Sequence, residues 1–261
     1  MTSSDKIIFI AELIGTFGLV VGATGSIVYE EILGGIYGIS FIAAGHFVAL
    51  TIVVYAFGKY SMAHFNPAVT IAFFMTKHVS GKQLPVYFGA QAVGAFLGSI
   101  FVLFVFGDYA NIGTNAPNLN YDWGSIIGLE ILATIFLMWV IFIIVSNKKL
   151  AKLSGVAIGG IIALDVLFFG EISGASMNPI RSLAPAIIAG IPHDLWLYWT
   201  TPFIGTILVG LFYRKKFLTK AELIFGMNEL VAILCVVCLA AGWVVYMIGR
   251  KKRKTFKDLP K

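Results

Sequence analysis

A ten-residue box occurs twice in this chain, and every reading of the fold has to accommodate both copies. The first copy is Ser61-Met62-Ala63-His64-Phe65-Asn66-Pro67-Ala68-Val69-Thr70. The second is Ser173-Gly174-Ala175-Ser176-Met177-Asn178-Pro179-Ile180-Arg181-Ser182. Ser, Ala, Asn and Pro coincide without a gap, and Thr and Ser agree at the last place. An Asn-Pro pair starts a helix: the Asn side-chain oxygen caps it, and Pro suits the first helical position because its missing N–H would be unpaired there anyway. Each box opens a short apolar run, Pro67 to Met75 and Pro179 to Ala189. Neither run is long enough to cross a hydrocarbon core of about 30 Å. One Asn-Pro pair is an ordinary helix start. Two half-length helices in matching halves point to a pore built from an inverted repeat.

The rest of the chain is apolar enough to house such a pore. Of 261 residues, 59% are hydrophobic and 12% charged, where a soluble domain carries about 25% charge. Six long apolar segments stand out, roughly Ile7–Val28, Gly35–Phe57, Leu84–Phe106, Ser125–Val145, Leu153–Phe169 and Leu195–Phe212. The Asn-Pro runs follow the second and fifth, so the order is span, span, half, span, and then the same again. The first spans of the two halves also match, setting Glu12 against Glu130 and Thr16 against Thr134. Three spans per half is an odd number, so the second half is inverted in the membrane. The 28 glycines suit close helix contacts in lipid.

Charge sets the orientation. Lys59, Lys77, Lys82, Lys148, Lys149, Lys152, Arg214, Lys215 and Lys216 fall on one side, and Glu30, Glu31, Asp108, Asp122, Glu171 and Asp194 on the other. The positive-inside rule then places the N-terminus in the cytoplasm of a multi-pass cell-membrane protein. Arg181 is the basic exception on the outer side. The net charge of +6 sits at segment ends and in the tail, which argues against a nucleic-acid partner. Cys235 and Cys238 share one apolar run with no further Cys to complete a zinc site, so no metal and no cofactor are expected. No catalytic constellation is visible, and an enzyme is not expected. No cleavable signal peptide is read at the N-terminus. Beyond Phe212 a basic stretch leads to a seventh apolar run, Leu230 to Gly249, and the basic residues Arg250 to Lys254. This run has no polar face, which favours a peripheral spanning helix over one lying on the membrane surface.

With both boxes, the paired Glu residues and the Arg three places after the second Asn in view, the chain resembles the aquaporin (major intrinsic protein) family over about Lys6 to Phe217. Its second box looks like that of the tonoplast-type branch. The resemblance implies an all-α membrane protein: six transmembrane helices plus two re-entrant half-helices, assembled as a homotetramer. The expected channel domain is 1–217, with repeats of about 6–115 and 123–217, and 218–261 holds the extra apolar helix and basic tail. Ile180 departs from the Ala usual in the family, and the seventh apolar run from its span count.

The expected pore boxes are Asn66-Pro67-Ala68 and Asn178-Pro179-Ile180. Their half-helices would bring two positive dipole ends, each of about half a charge, to the membrane midplane. Each Asn would cap with its oxygen and keep its NH₂ to donate into the lumen. Offsets carried over from the family place the selectivity filter at His46, Val166, Ala175 and Arg181; a shift of one residue would put Phe47 in place of His46. Small apolar side chains at Val166 and Ala175 imply an opening wider than that of a strict water channel. His64 either lines the inner vestibule, as in the family, or holds its loop. The symmetric placement of Glu12 and Glu130 favours acceptance of re-entrant-loop N–H groups over a proton relay. Asp165 has no repeat counterpart and is left open. The function expected is a passive channel for water and small neutral solutes within the lipid bilayer, ammonia the first candidate, with ions and protons excluded. The alternatives are a strict water channel, a non-conducting structural protein of the same fold and, further off, a coupled transporter.

Overall fold

In lipid a long apolar segment has no partner for its backbone except itself, so it becomes a helix. The structure, a computed structural model, describes residues 2–214. The order is α1 (Ser3–Ile32), α2 (Ile39–Ser61), α3 (Pro67–Met75), α4 (Leu84–Phe106), α5 (Trp123–Ser146), α6 (Ser154–Ser173), α7 (Pro179–Ile188) and α8 (Leu195–Arg214), with short 3₁₀ turns at Ala110–Gly113 and Leu150–Leu153. Six of these are long and apolar enough to cross a membrane, while α3 and α7 have 9 and 10 residues. All regular elements among the described residues are helical. The seventh apolar run and the basic tail lie outside the described residues. Contacts group Met1–Leu211 into one unit; the second, from Phe212, lies almost wholly beyond them.

Most ends fall close to those read from hydropathy, though α2 is displaced toward the C-terminus and α1 is longer at both ends. It starts earlier because Thr2 and Asp5 form a reciprocal cap, the Asp5 N–H on Thr2 Oγ1 at 3.1 Å and the Thr2 N–H on Asp5 Oδ2 at 2.8 Å. It runs on through Glu30, which does not turn out to solvent. That carboxylate is buried, and its Oε1 accepts the backbone N–H groups of Tyr37 and Gly38 in the turn to α2.

α1 packs against α2 and α4, α2 against α6, and α5 against α6. One close approach of glycine to backbone repeats between the halves. A Cβ on Gly94 of α4 would lie 2.3 Å from the Leu13 carbonyl oxygen on α1. One on Gly205 of α8 would lie 2.8 Å from the Ile131 carbonyl oxygen on α5. Leu13 follows Glu12 and Ile131 follows Glu130, so in each half a glycine lets the third spanning helix touch the first beside its buried acid. Large apolar side chains such as Ile10, Ile52, Phe104 and Leu208 point outward, as befits a lipid-facing surface.

Candidate functional site: the paired Asn-Pro loops

Each box leaves its preceding helix through a left-handed residue, Met62 (φ 65°) after α2 and Gly174 (φ 89°) after α6. Two further left-handed residues follow at matching places. These are Ala63 (51°) and Phe65 (49°) in the first loop, Ala175 (42°) and Met177 (54°) in the second. Non-glycine residues hold such angles only where their surroundings over-determine them. Here buried acids supply the constraint. Glu12 accepts four hydrogen bonds: from Ser61 Oγ (2.7 Å), the His64 N–H (2.9 Å), the Phe65 N–H (2.7 Å) and Gln91 Nε2 (2.8 Å). Glu130 accepts from Ser173 Oγ at 2.9 Å and the Met177 N–H at 2.7 Å. Tyr87 and Tyr198 close the pattern, donating to the Ser61 and Ser173 carbonyls at 2.8 and 2.7 Å. Counting on from these tyrosines, Pro202 stands where Gln91 does, so the second acid lacks that amide.

The two half-helices meet through their Asn residues. Asn66 Oδ1 accepts the Ala68 N–H at 2.9 Å, and Asn178 Oδ1 accepts the Ile180 and Arg181 N–H groups at 3.2 and 3.4 Å. Each NH₂ then reaches the opposite loop: Asn66 Nδ2 donates to the Met177 carbonyl at 2.8 Å, and Asn178 Nδ2 to the Phe65 carbonyl at 2.9 Å. One hydrogen of each amide is thus engaged in joining the halves, which leaves one for the lumen. The sequence pointed to the cap and to an NH₂ facing the lumen, but not to this bond between the loops.

Asn66, Asn178, His46, His64 and Arg181 all line one cavity, with walls that include Leu50, Ile158 and Ile162. His46 turns its Nδ1 to the Ile42 carbonyl at 2.8 Å. A carbonyl only accepts, so Nδ1 carries the hydrogen, and in the neutral ring Nε2 is an acceptor. Phe47 is not on this cavity; its ring reaches Gly160 of α6. Val166 and Ala175 are buried but are not among the lining residues. Val166 lies one helical turn beyond Ile158 and Ile162 on the same face of α6. Ile180 is buried and off the cavity lining. The His64 ring is stacked between Phe73 and Tyr87, centroids 4.5 Å from each, with Nδ1 3.1 Å from Thr70 Oγ1. It therefore touches the cavity and also holds its loop. Asp165 is buried on α6 with Oδ2 lacking a partner among the described residues.

A family model described as Major intrinsic protein matches residues 2–213. The chain belongs to that family. Members are channels, not enzymes. Among relatives, this major intrinsic protein is 40% identical over 209 residues to Aquaporin NIP3-1 of Arabidopsis thaliana, a match covering 76% of this chain and 64% of the relative. It is 38% identical over 210 residues to Probable aquaporin NIP7-1 of the same plant, covering 80% and 76%. The chain thus spans just under two thirds of the first relative's length and about three quarters of the second's. Its fold matches the X-ray structure of the aquaglyceroporin from Plasmodium falciparum with a TM-score of 0.72, covering 84% of this chain and 99% of that one at 23% identity. The tonoplast-type branch suggested by the second box is corrected: the relatives of this major intrinsic protein are of the NIP type. A short box and four aperture positions report local width, whereas identity over some 200 residues reports descent.

Proposed function

We propose that the protein is a passive channel for water and small neutral solutes, with ammonia the first candidate beyond water, and that it excludes ions and protons. One observation carries this reading: two Asn amides, His46 and Arg181 open onto a single cavity whose other walls are largely aliphatic. A solute leaving water needs a few groups to replace lost hydration and a narrow path otherwise. Here the Arg181 guanidinium donates and His46 Nε2 accepts, a pairing suited to water or ammonia. The paired half-helix N-termini add positive potential against cations. We take His46, Val166, Ala175 and Arg181 as the filter, and Glu12 and Glu130 as supports of the re-entrant loops. We take residues 1–217 as the channel domain; 218–261 lie outside the described residues. The channel assembles as a homotetramer in the cell membrane with its N-terminus in the cytoplasm, the side on which the lysines gather.

One proteoliposome preparation tests the reading. Water and ammonia fluxes should exceed those of protein-free vesicles, and urea and glycerol place the upper size limit. The same protein in a planar bilayer should carry no steady cation current. An ohmic cation current, or fluxes no greater than in empty vesicles, would sink the proposal.

The width argument has its own variant. The double change Val166→His and Ala175→Thr fills the two small filter positions, and should lower the ammonia-to-water ratio by about tenfold, the scale on which small changes of fit discriminate. Equal loss of both fluxes, or of neither, means that the aperture lies elsewhere.

A further inference from the structure

A guanidinium has five N–H donors, no acceptor and a long flexible stem, so its use as a fixed wall depends on what holds it. In the first box the place of Arg181 is taken by Val69. The holding device therefore has no reason to repeat, and it comes from the loop joining α4 to α5. Arg181 Nη1 donates to the Gly113 carbonyl at 3.1 Å and to Asn115 Oδ1. Asn115 is itself held on both sides: Nδ2 donates to the Gly174 carbonyl at 2.7 Å, and Oδ1 also accepts from Ser182 Oγ at 2.8 Å. Arg181 cannot accept and a carbonyl cannot donate, so this amide has one possible orientation. Asn115 is 8% exposed although it belongs to a connecting loop.

The loop is anchored as well as bonded. Ala110, Asn111 and Ile112 form a left-handed turn with φ of 46–49°, a strained geometry that only strong fixation sustains. Ile112 supplies it, with 1% exposure. Gly113 lies so close to α1 that an added Cβ would be 2.7 Å from the Thr24 Cα. The Gly113 carbonyl and the Asn115 amide thus reach Arg181 from a rigid base.

We propose that Asn115 is a positioning residue for selectivity, fixing the aim of the Arg181 guanidinium across the outer opening and making this loop part of the constriction. The inference rests on the proposed role of Arg181 in the filter. With the Asn115 oxygen gone, Arg181 keeps only the Gly113 carbonyl among these two acceptors and samples other rotamers. Larger neutral solutes then gain more than water does.

The test measures glycerol and water fluxes in the same vesicles for wild type, Asn115→Ala, Asn115→Asp, Arg181→Ala and the double variant Asn115→Ala/Arg181→Ala. The ratio of the two fluxes cancels differences in the amount of folded protein. Asn115→Ala should raise the glycerol-to-water ratio by about threefold or more, the result of losing a charge-assisted hydrogen bond. Asn115→Asp restores the acceptor oxygen but not the bond to Gly174, and should return the ratio toward wild type. In the Arg181→Ala background, Asn115→Ala should change nothing further. The proposal is overturned if Arg181→Ala alters the ratio and Asn115→Ala does not. It is equally overturned if Ala and Asp at 115 act alike, or if the Asn115 effect persists without Arg181. If Arg181→Ala itself leaves the ratio unaltered, the filter reading has failed and this inference falls with it.

Discussion

Glu12→Ala should leave the protein several kcal/mol less stable and without measurable water flux. Four donors converge on that carboxylate, two of them backbone N–H groups of the first re-entrant loop. No water or neighbouring backbone replaces it in a fully buried site, and each stranded donor costs about 1–3 kcal/mol. Even with partial rearrangement the loss is at least about 3 kcal/mol, or roughly a 10 °C fall in melting temperature in detergent. The strained angles of Ala63 and Phe65 would lose their support, and Asn66 would no longer be aimed at Met177. Glu130→Ala should cost less, because Pro202 stands in place of a Gln91-like amide and that donor is not stranded. Thermal unfolding of the purified variants checks the order. A Glu12→Ala protein within about 1 kcal/mol of wild type would mean that the loop does not depend on it.

Gly94→Ala should be nearly as damaging, though it adds a single methyl group. The new Cβ meets the Leu13 carbonyl oxygen at 2.3 Å and the Phe17 backbone nitrogen at 3.1 Å. Backbone cannot step aside as a side chain can, so α1 and α4 must separate. Overpacking of this kind costs about 1–3 kcal/mol or more. Gln91 lies three residues before Gly94, on the same face of α4, so the displacement also pulls its amide from Glu12. Gly205→Ala, with its nearest contact at 2.8 Å, should follow the same course more mildly. Gly58→Ala is the control: nothing lies within 4 Å of its Cβ position, and helix propensity favours Ala by about 1 kcal/mol. The yield of monodisperse protein should fall in the order Gly58→Ala, Gly205→Ala, Gly94→Ala. Wild-type yield and melting temperature for Gly94→Ala would show that the helices have room to spare.

The two predictions also mark how far the sequence could be read. Hydropathy located the six spans because lipid admits one solution to an apolar run of that length. The Asn-Pro boxes located α3 and α7 because Asn and Pro act at fixed places at a helix start. Glu12 and Glu130 stood out as charges within apolar spans at matching positions. Ser61 and Ser173 were also visible in the aligned boxes, although nothing in the text of the chain says that they donate to those acids. Asn115 left no mark at all. It sits in a polar loop among other Asn residues, and its task arises from an approach to Arg181 across 66 positions. The burial of Glu30 is hidden for a similar reason: the sequence places that acid on the outer side, and only the fold shows the turn to α2 closing over it.

The reciprocal amide-to-carbonyl bonds between the half-helices have one more consequence. What Asn66 does to the second loop, Asn178 does to the first, so each side of the contact carries both the donor and the acceptor. A surface with that property is self-complementary, the condition met by the interface of a two-fold symmetric dimer. Nothing in the bonding requires the two sides to belong to one polypeptide. The junction at the centre of this channel has the form of an isologous subunit interface, with Gly107 to Asp122 serving as the tether between its partners.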